Sequence, residues 1–94
     1  MSFFAKKDFK IYKSRVKINI SNQKKGKKGK TITLIKGLGI GNEKEVKELL
    51  KKMKVFCGTG GTVIGEDIQL QGDMVNKSIE FLRKEGFQNL WVKS

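Results

Sequence analysis

Hydrophobic and polar residues alternate over two neighbouring stretches near the front of the chain. From Arg15 to Ile20, Val16, Ile18 and Ile20 fall on one side and Arg15, Lys17 and Asn19 on the other. A period of two is the pattern of a half-buried strand. Thr31 to Lys36 repeats it, with Ile32 and Leu34 expected inward and Thr31 and Thr33 outward; Ile35 breaks the alternation. Between the two runs lies Asn22-Gln23-Lys24-Lys25-Gly26-Lys27-Lys28-Gly29-Lys30. Glycines in a short polar break between strands signal a turn, so the runs are expected to form a hairpin with this segment at its tip.

The period then changes. Gly37-Leu38-Gly39-Ile40-Gly41 ends the second strand, and Asn42 is placed to cap a helix, with Glu45 completing a partial capping box. Val46, Leu49, Leu50 and Met53 recur at the spacing of a core-facing helical stripe. Gly58-Thr59-Gly60-Gly61 breaks that helix. Thr62 to Ile64 and Ile68 to Gln71 make a second hairpin about the turn Gly65-Glu66-Asp67, with Ile68 and Leu70 inward. Asp73 is expected to cap a second helix, lined by Val75, Ile79 and Leu82, and Gly86 occupies the place of a left-handed C-cap. Gln88 to Val92 reads as a last strand at a sheet edge, with Leu90 and Val92 on one side.

The predicted order is ββαββαβ. That is an α+β two-layer sandwich, with two helices on one face of a mostly antiparallel sheet. Residues 14–94 are expected to form a single domain. Residues 1–13 are expected to form a short N-terminal tail, with Phe3, Phe4, Phe9 and Tyr12 among lysines, partly ordered by packing an aromatic ring.

Charge sharpens the picture of the first hairpin. The net charge is +12 over 94 residues. Met1 to Asn42 holds 12 basic residues against Asp8 alone, whereas Glu43 to Ser94 holds nine basic and eight acidic residues. Such asymmetry between halves points to a nucleic-acid surface. Five of the seven residues from Lys24 to Lys30 are lysine. Crowded like charges repel one another unless an anion lies beside them, and nucleic acid is the long polyanion a cell supplies. Of the 21 basic residues only Arg15 and Arg83 are arginine. Lysine meets phosphate as a point charge, whereas bidentate reading of bases favours arginine, so the backbone and shape of a nucleic acid are the expected target. Lys44, Lys47, Lys51 and Lys54 form a further stripe on the first helix, which Glu43 and Glu48 are spaced to offset in part.

Catalytic chemistry is poorly supplied. The chain has no histidine and one cysteine, Cys57, so His-based acid–base catalysis, a zinc site and an internal disulfide are all closed. No cofactor is expected. Gly37-x-Gly39-x-Gly41 departs from a dinucleotide fingerprint, because Asn42 stands where the last glycine belongs. Gly58-Thr59-Gly60-Gly61 has the form G-x-x-G, yet it joins a helix to a strand and carries no lysine or arginine. The sheet's outer face is expected to carry Arg15, Lys17, Thr33 and Gln69, without stacked aromatic residues. No apolar run is long enough to span a membrane. These features predict a cytoplasmic, monomeric binding protein rather than an enzyme.

Three stretches carry a more specific resemblance. Lys27-Lys28-Gly29-Lys30-Thr31-Ile32-Thr33-Leu34-Ile35-Lys36-Gly37-Leu38 resembles the first hairpin of the eukaryotic-type translation initiation factor 1 family. Phe56-Cys57-Gly58-Thr59-Gly60-Gly61-Thr62-Val63 and Ile68-Gln69-Leu70-Gln71-Gly72-Asp73 resemble its two strongest signatures, in the right order. The sequence is most like the short bacterial and archaeal YciH-like members. The resemblance implies a ββαββαβ sandwich bound to small-subunit ribosomal RNA near the P site, acting on start-codon fidelity. By position it assigns RNA contact to Lys24, Lys25, Lys27, Lys28 and Lys30 in the loop, and to Lys44, Lys47, Lys51 and Lys54 on the helix. It brings in initiator tRNA and other initiation factors as candidate partners. The family's second hairpin loop, which faces the initiator tRNA in eukaryotes, is cut here to Gly65-Glu66-Asp67. A general RNA-binding module or stress regulator is the alternative that the residues themselves leave open.

Overall fold

The computed structural model of the protein describes residues 16–25, 29–39 and 43–93. Seven elements follow one another: β1 (Ile18–Lys25), β2 (Lys30–Lys36), α1 (Glu43–Cys57), β3 (Gly61–Ile64), β4 (Asp67–Gln71), α2 (Val75–Lys84) and β5 (Leu90–Lys93). The strands form one sheet in the order β3-β4-β2-β1-β5. Three of its ladders are antiparallel, and β5 joins β1 in parallel at the edge. Helix α1 packs over β3 and β4, helix α2 packs over β1, and the helices touch each other. The fold is the expected α+β sandwich, ββαββαβ.

The core lies between the helices and one face of the sheet. Residues paired directly across neighbouring strands project to the same face. Ile20 pairs with Ile35, Ile35 with Ile68, and Ile68 with Val63, so these four share the helix-facing side. Ile18, Ile20, Ile35, Ile68 and Leu70 are all fully buried there. Val46, Leu50, Met53 and Cys57 of α1 close over them, as do Val75, Phe81 and Leu82 of α2. Leu49 and Ile79 reach the core only at its margin, being partly buried. The rings of Phe56 and Phe81 meet at 5.5 Å in a tilted pair, and Lys84 Nζ stands 5.1 Å over the Phe56 ring. This aromatic contact joins α1 to α2.

Strand β2 corrects the expected facing. Thr33 is fully buried on the core side, one pair along from Ile35, while Ile32 and Leu34 point to the opposite face. Alternation could not choose the side, because Ile32, Leu34 and Ile35 are all large and apolar. Polar satisfaction chose it. The Thr33 hydroxyl donates to the carbonyl of Gly72 at 2.8 Å and accepts the N–H of Met74 at 2.7 Å, part-buried groups that gain a partner in this way. Ile32 and Leu34 are nonetheless buried, on a row flanked in register by Ser21, Gln23, Gln69 and Gln71.

The helix ends also differ in part from expectation. Asn42 lies outside the described residues. Helix α2 begins at Val75 with Met74 at the cap position, and no side chain caps it there. Asp73 Oδ1 is 3.4 Å from the Val75 nitrogen, too long for a firm cap, so Asp73 does not act as the predicted N-cap. At the other end Gly86 adopts φ 99°, with Gly86 N–H bonded to Arg83 O and Phe87 N–H to Leu82 O, both at 3.0 Å. That paired arrangement is a Schellman motif, and it turns Phe87 into the core. The predicted aromatic packing of the tail lies outside the described residues, as does Arg15.

Candidate nucleic-acid interface

The first hairpin is longer than its alternation suggested. β1 does not stop at Ile20 but runs on through Lys25. Asn22, Gln23, Lys24 and Lys25 pair in turn with Thr33, Ile32, Thr31 and Lys30. β5 accompanies β1 only as far as Ser21, and β4 accompanies β2 only from Ile35 to Ile32. The pairs Lys24↔Thr31 and Lys25↔Lys30 therefore lie beyond the ladders to β5 and β4, with only the Gly72 N–H reaching Thr31 O beside them. They form a two-stranded arm that extends beyond the five-stranded sheet. The described part of the basic segment is thus mostly strand. A strand arm presents its lysines at fixed intervals of about 3.4 Å per residue, where a slack loop would not.

The structure places seven of the nine predicted site residues. Lys24 and Lys30 are exposed on the arm. Lys25 is set opposite Lys30 by the backbone register. Lys27 and Lys28 lie outside the described residues. Lys44, Lys47, Lys51 and Lys54 are all exposed on α1, away from its buried stripe of Val46, Leu50, Met53 and Cys57. Lys47 Nζ is 3.2 Å from Glu43 Oε1, one turn back, so part of this stripe's charge is offset within the helix. Lys52 of the same helix lies 3.9 Å from Glu85. Among the described residues no ion pair engages Lys24 or Lys30. The positive field is consequently less compensated on the arm than on the helix.

Other chemistry is scarce at these surfaces. Among the described residues no three of His, Cys, Asp or Glu lie together as a metal set. No helix of the described residues is long and apolar enough to cross a membrane. Cys57 is a free, buried thiol. Burial pushes its pKa up, against smaller opposing effects of the Lys77 charge and the Ser78 hydroxyl. That keeps it a neutral packing residue rather than a nucleophile.

Comparison with known proteins decides the family. The family described as Translation initiation factor SUI1 matches residues 14–88. The chain belongs to the SUI1 translation initiation factor family. Among similar proteins, an uncharacterised protein of Synechocystis is 37% identical over 71 residues, covering 76% of this chain and 63% of that relative. A protein translation factor SUI1 homolog of Methanocaldococcus jannaschii is 43% identical over 77 residues, covering 82% of this chain and 73% of the relative. The homolog from Methanococcus vannielii is 44% identical over 59 residues, covering 63% of this chain and 57% of the relative. The chain thus spans less than two thirds of the length of two of these relatives.

The two runs that resemble family signatures, Gly58–Gly61 and Ile68–Asp73, have a structural role here. Thr59 Oγ1 donates to Gln71 O at 2.9 Å, and Gln71 N–H donates to Gly60 O at 2.9 Å. The run Gly58–Gly61 and the run Ile68–Asp73 are therefore partners that close the β3–β4 hairpin upon the end of α1. A Cβ on Gly61 would stand 2.7 Å from the Gln69 carbonyl oxygen and 2.9 Å from Leu70 Cδ2, so only glycine fits between β4 and α1. The second signature continues into Gly72, whose N–H donates to Thr31 O at 2.9 Å. Both runs serve to fix the sheet that carries the arm.

Two residues of functional interest escaped the sequence reading. Thr33 is a buried link rather than a residue of the outer face. Trp91 is the reverse case: it is 54% exposed, on the face away from the helices. The outer face therefore does carry an aromatic ring. Its signal lay in the alternation of the last strand, where Leu90 and Val92 take one side and leave Trp91 to the other.

Proposed function

We propose that this protein binds the small ribosomal subunit near its P site through ribosomal RNA, and there influences the fidelity of start-codon selection. The observation that carries this reading is the lysine-bearing arm, projecting past both neighbouring strands of a SUI1-family sheet. The arm's lysines meet phosphate as point charges, with Lys24 and Lys30 exposed on its two strands and Lys27 and Lys28 between them in sequence. The α1 stripe of Lys44, Lys47, Lys51 and Lys54 adds a second, partly neutralised contact. Archaeal relatives that carry the name of translation factor support the same role. Binding is the activity, in the cytoplasm, and no step requires a cofactor. Initiator tRNA is a secondary partner, because the β3–β4 turn at Gly65 and Glu66 is short.

Cosedimentation tests the reading. The protein is expected to pellet with isolated small subunits and not with large ones, and to protect RNA near the P site from chemical probes. Equal partition over small subunits, large subunits and bulk RNA would instead make it a general RNA-binding module.

A further inference from the structure

The outer sheet face bears a surface that the lysine arm does not use. Trp91 lies on it, as its register shows: Leu90 pairs with Ile18 on the core side, so Trp91, paired with Asn19, faces outward. The indole is 54% exposed, and its Nε1–H donates to Asn89 Oδ1 at 2.9 Å. The ring's one polar group is thereby satisfied within the protein, and the bond restrains the ring's orientation. What remains is a large, half-exposed aromatic ring on the edge strand, beyond which no further strand pairs among the described residues.

Its neighbours are cationic and amide groups. Lys93 follows two residues on along β5, on the same face, about 7 Å away along the strand. Asn19 is directly beside Trp91, and Lys36 is the next residue across, paired with Asn19. All three are exposed. Lys17 is exposed just before β1. One carboxylate belongs to the same row: continuation of the β2–β4 register sets Asp67 beyond Lys36, on the side away from Trp91. The immediate surroundings of the indole are thus positive and hydrogen-bonding.

We propose that Trp91 is a stacking platform for an unpaired base of RNA, with Lys93 and Lys36 placed to meet the adjoining phosphates. It is a contact separate from the lysine arm, and it rests on the RNA-binding role proposed above. Stacking on an aromatic face beside cations is how sheet surfaces hold single-stranded nucleic acid without reading its sequence. A second copy of this chain fits the surface less well. Pairing β5 edge to edge would bring Lys93 towards its counterpart, between two molecules each of net charge +12.

Trp91 is the only tryptophan, so the protein's indole emission reports on this site alone. Titration with single-stranded 12-mers of uridylate and adenylate is expected to quench it. Trp91→Ala is expected to weaken small-subunit binding by roughly 5- to 150-fold, the range for loss of one stacked base, with Trp91→Phe recovering most of it. The salt dependence of binding should be unchanged in both variants, since no charge is removed, and their melting temperatures should stay near wild type. Two results overturn the platform while leaving the proposed function in place. One is unquenched emission at saturating oligonucleotide. The other is a Trp91→Ala protein that binds small subunits as wild type does. A concentration-dependent dimer that Trp91→Ala abolishes would overturn it in favour of self-association. If the wild type binds no small subunits, the proposed function fails, and quenching by oligonucleotides alone sustains or overturns the platform.

Discussion

The N–H of Met74 points into the hydroxyl of Thr33 at 2.7 Å, across 41 residues of chain. The same hydroxyl donates to Gly72 O at 2.8 Å, with Asn22 Oδ1 at 3.3 Å. One small side chain therefore links both strands of the basic hairpin to the start of α2. Met74 has no side-chain cap of its own, so Thr33 supplies from a strand what helix starts usually take from their own sequence. Position follows from this: the arm is anchored at its base to the body that carries the helices.

Thr33→Val preserves shape and removes the hydroxyl. Two part-buried backbone groups, Gly72 O and Met74 N–H, lose their partner. We expect a loss of about 1–3 kcal/mol in urea unfolding. The amides of Met74 and the first turn of α2 should also exchange faster with solvent. A variant within about 0.5 kcal/mol of wild type would show that water replaces the hydroxyl and that the link is dispensable.

Gly61→Ala tests the packing of the first glycine signature. An added Cβ would press on the backbone oxygen of Gln69, which cannot move without shifting β4. Overpacking of this kind costs about 1–3 kcal/mol. Gly58→Ala offers a contrast, since nothing lies within 4 Å of a Cβ there and only its φ of 66° resists the change. Thermal melts of the two should place Gly61→Ala lower. The reverse order would mean that the turn's backbone conformation matters more than the space beside β4.

Much of this fold was legible because periodicity and glycine placement agreed. Val46, Leu50, Met53 and Leu82 fell where their spacing put them, and the Gly86 cap took its expected left-handed form. Thr33 was misread for a definite reason: in a central strand covered along both edges, apolar residues fill both faces and alternation carries no sign. The length of β1 was missed because Asn22 to Lys25 are polar, and a strand pairing in a free arm needs no buried face. Trp91 was passed over because one aromatic residue in an edge strand gives no repeat to notice. For the site, charge supplied the candidate residues, while the arm's form came only from the register.

Cys57 is expected to be inert in the folded protein. It is 2% exposed, and burial raises its pKa. Reaction with a disulfide reagent at neutral pH should proceed only as fast as the chain opens, and added urea should speed it. The sign of the pH effect follows. A raised thiol pKa leaves stability intact below the usual thiol range and erodes it as pH climbs through that range towards the folded value. Cys57→Ser should bind small subunits as wild type does, with some loss of stability. Rapid labelling at full stability would contradict the burial.

Salt dependence separates the arm from the helix as the principal RNA anchor. If the five lysines Lys24, Lys25, Lys27, Lys28 and Lys30 each neutralise one phosphate, the plot of log K against log salt should owe them a slope of roughly −3.5 to −4.5. Replacing all five by serine is expected to flatten the slope by that amount. The fold should survive, because the exposed arm residues Lys24 and Lys30 lie outside the core cluster. Replacing Lys44, Lys47, Lys51 and Lys54 should flatten it less, since Glu43 already holds Lys47 at 3.2 Å. The measurement is small-subunit binding at several salt concentrations for wild type and both variants. Each lysine that meets no phosphate removes about 0.7–0.9 from the expected change, so the difference counts contacts. A larger change from the helix set would make α1 the main anchor, with the arm a secondary contact despite its higher density of charge.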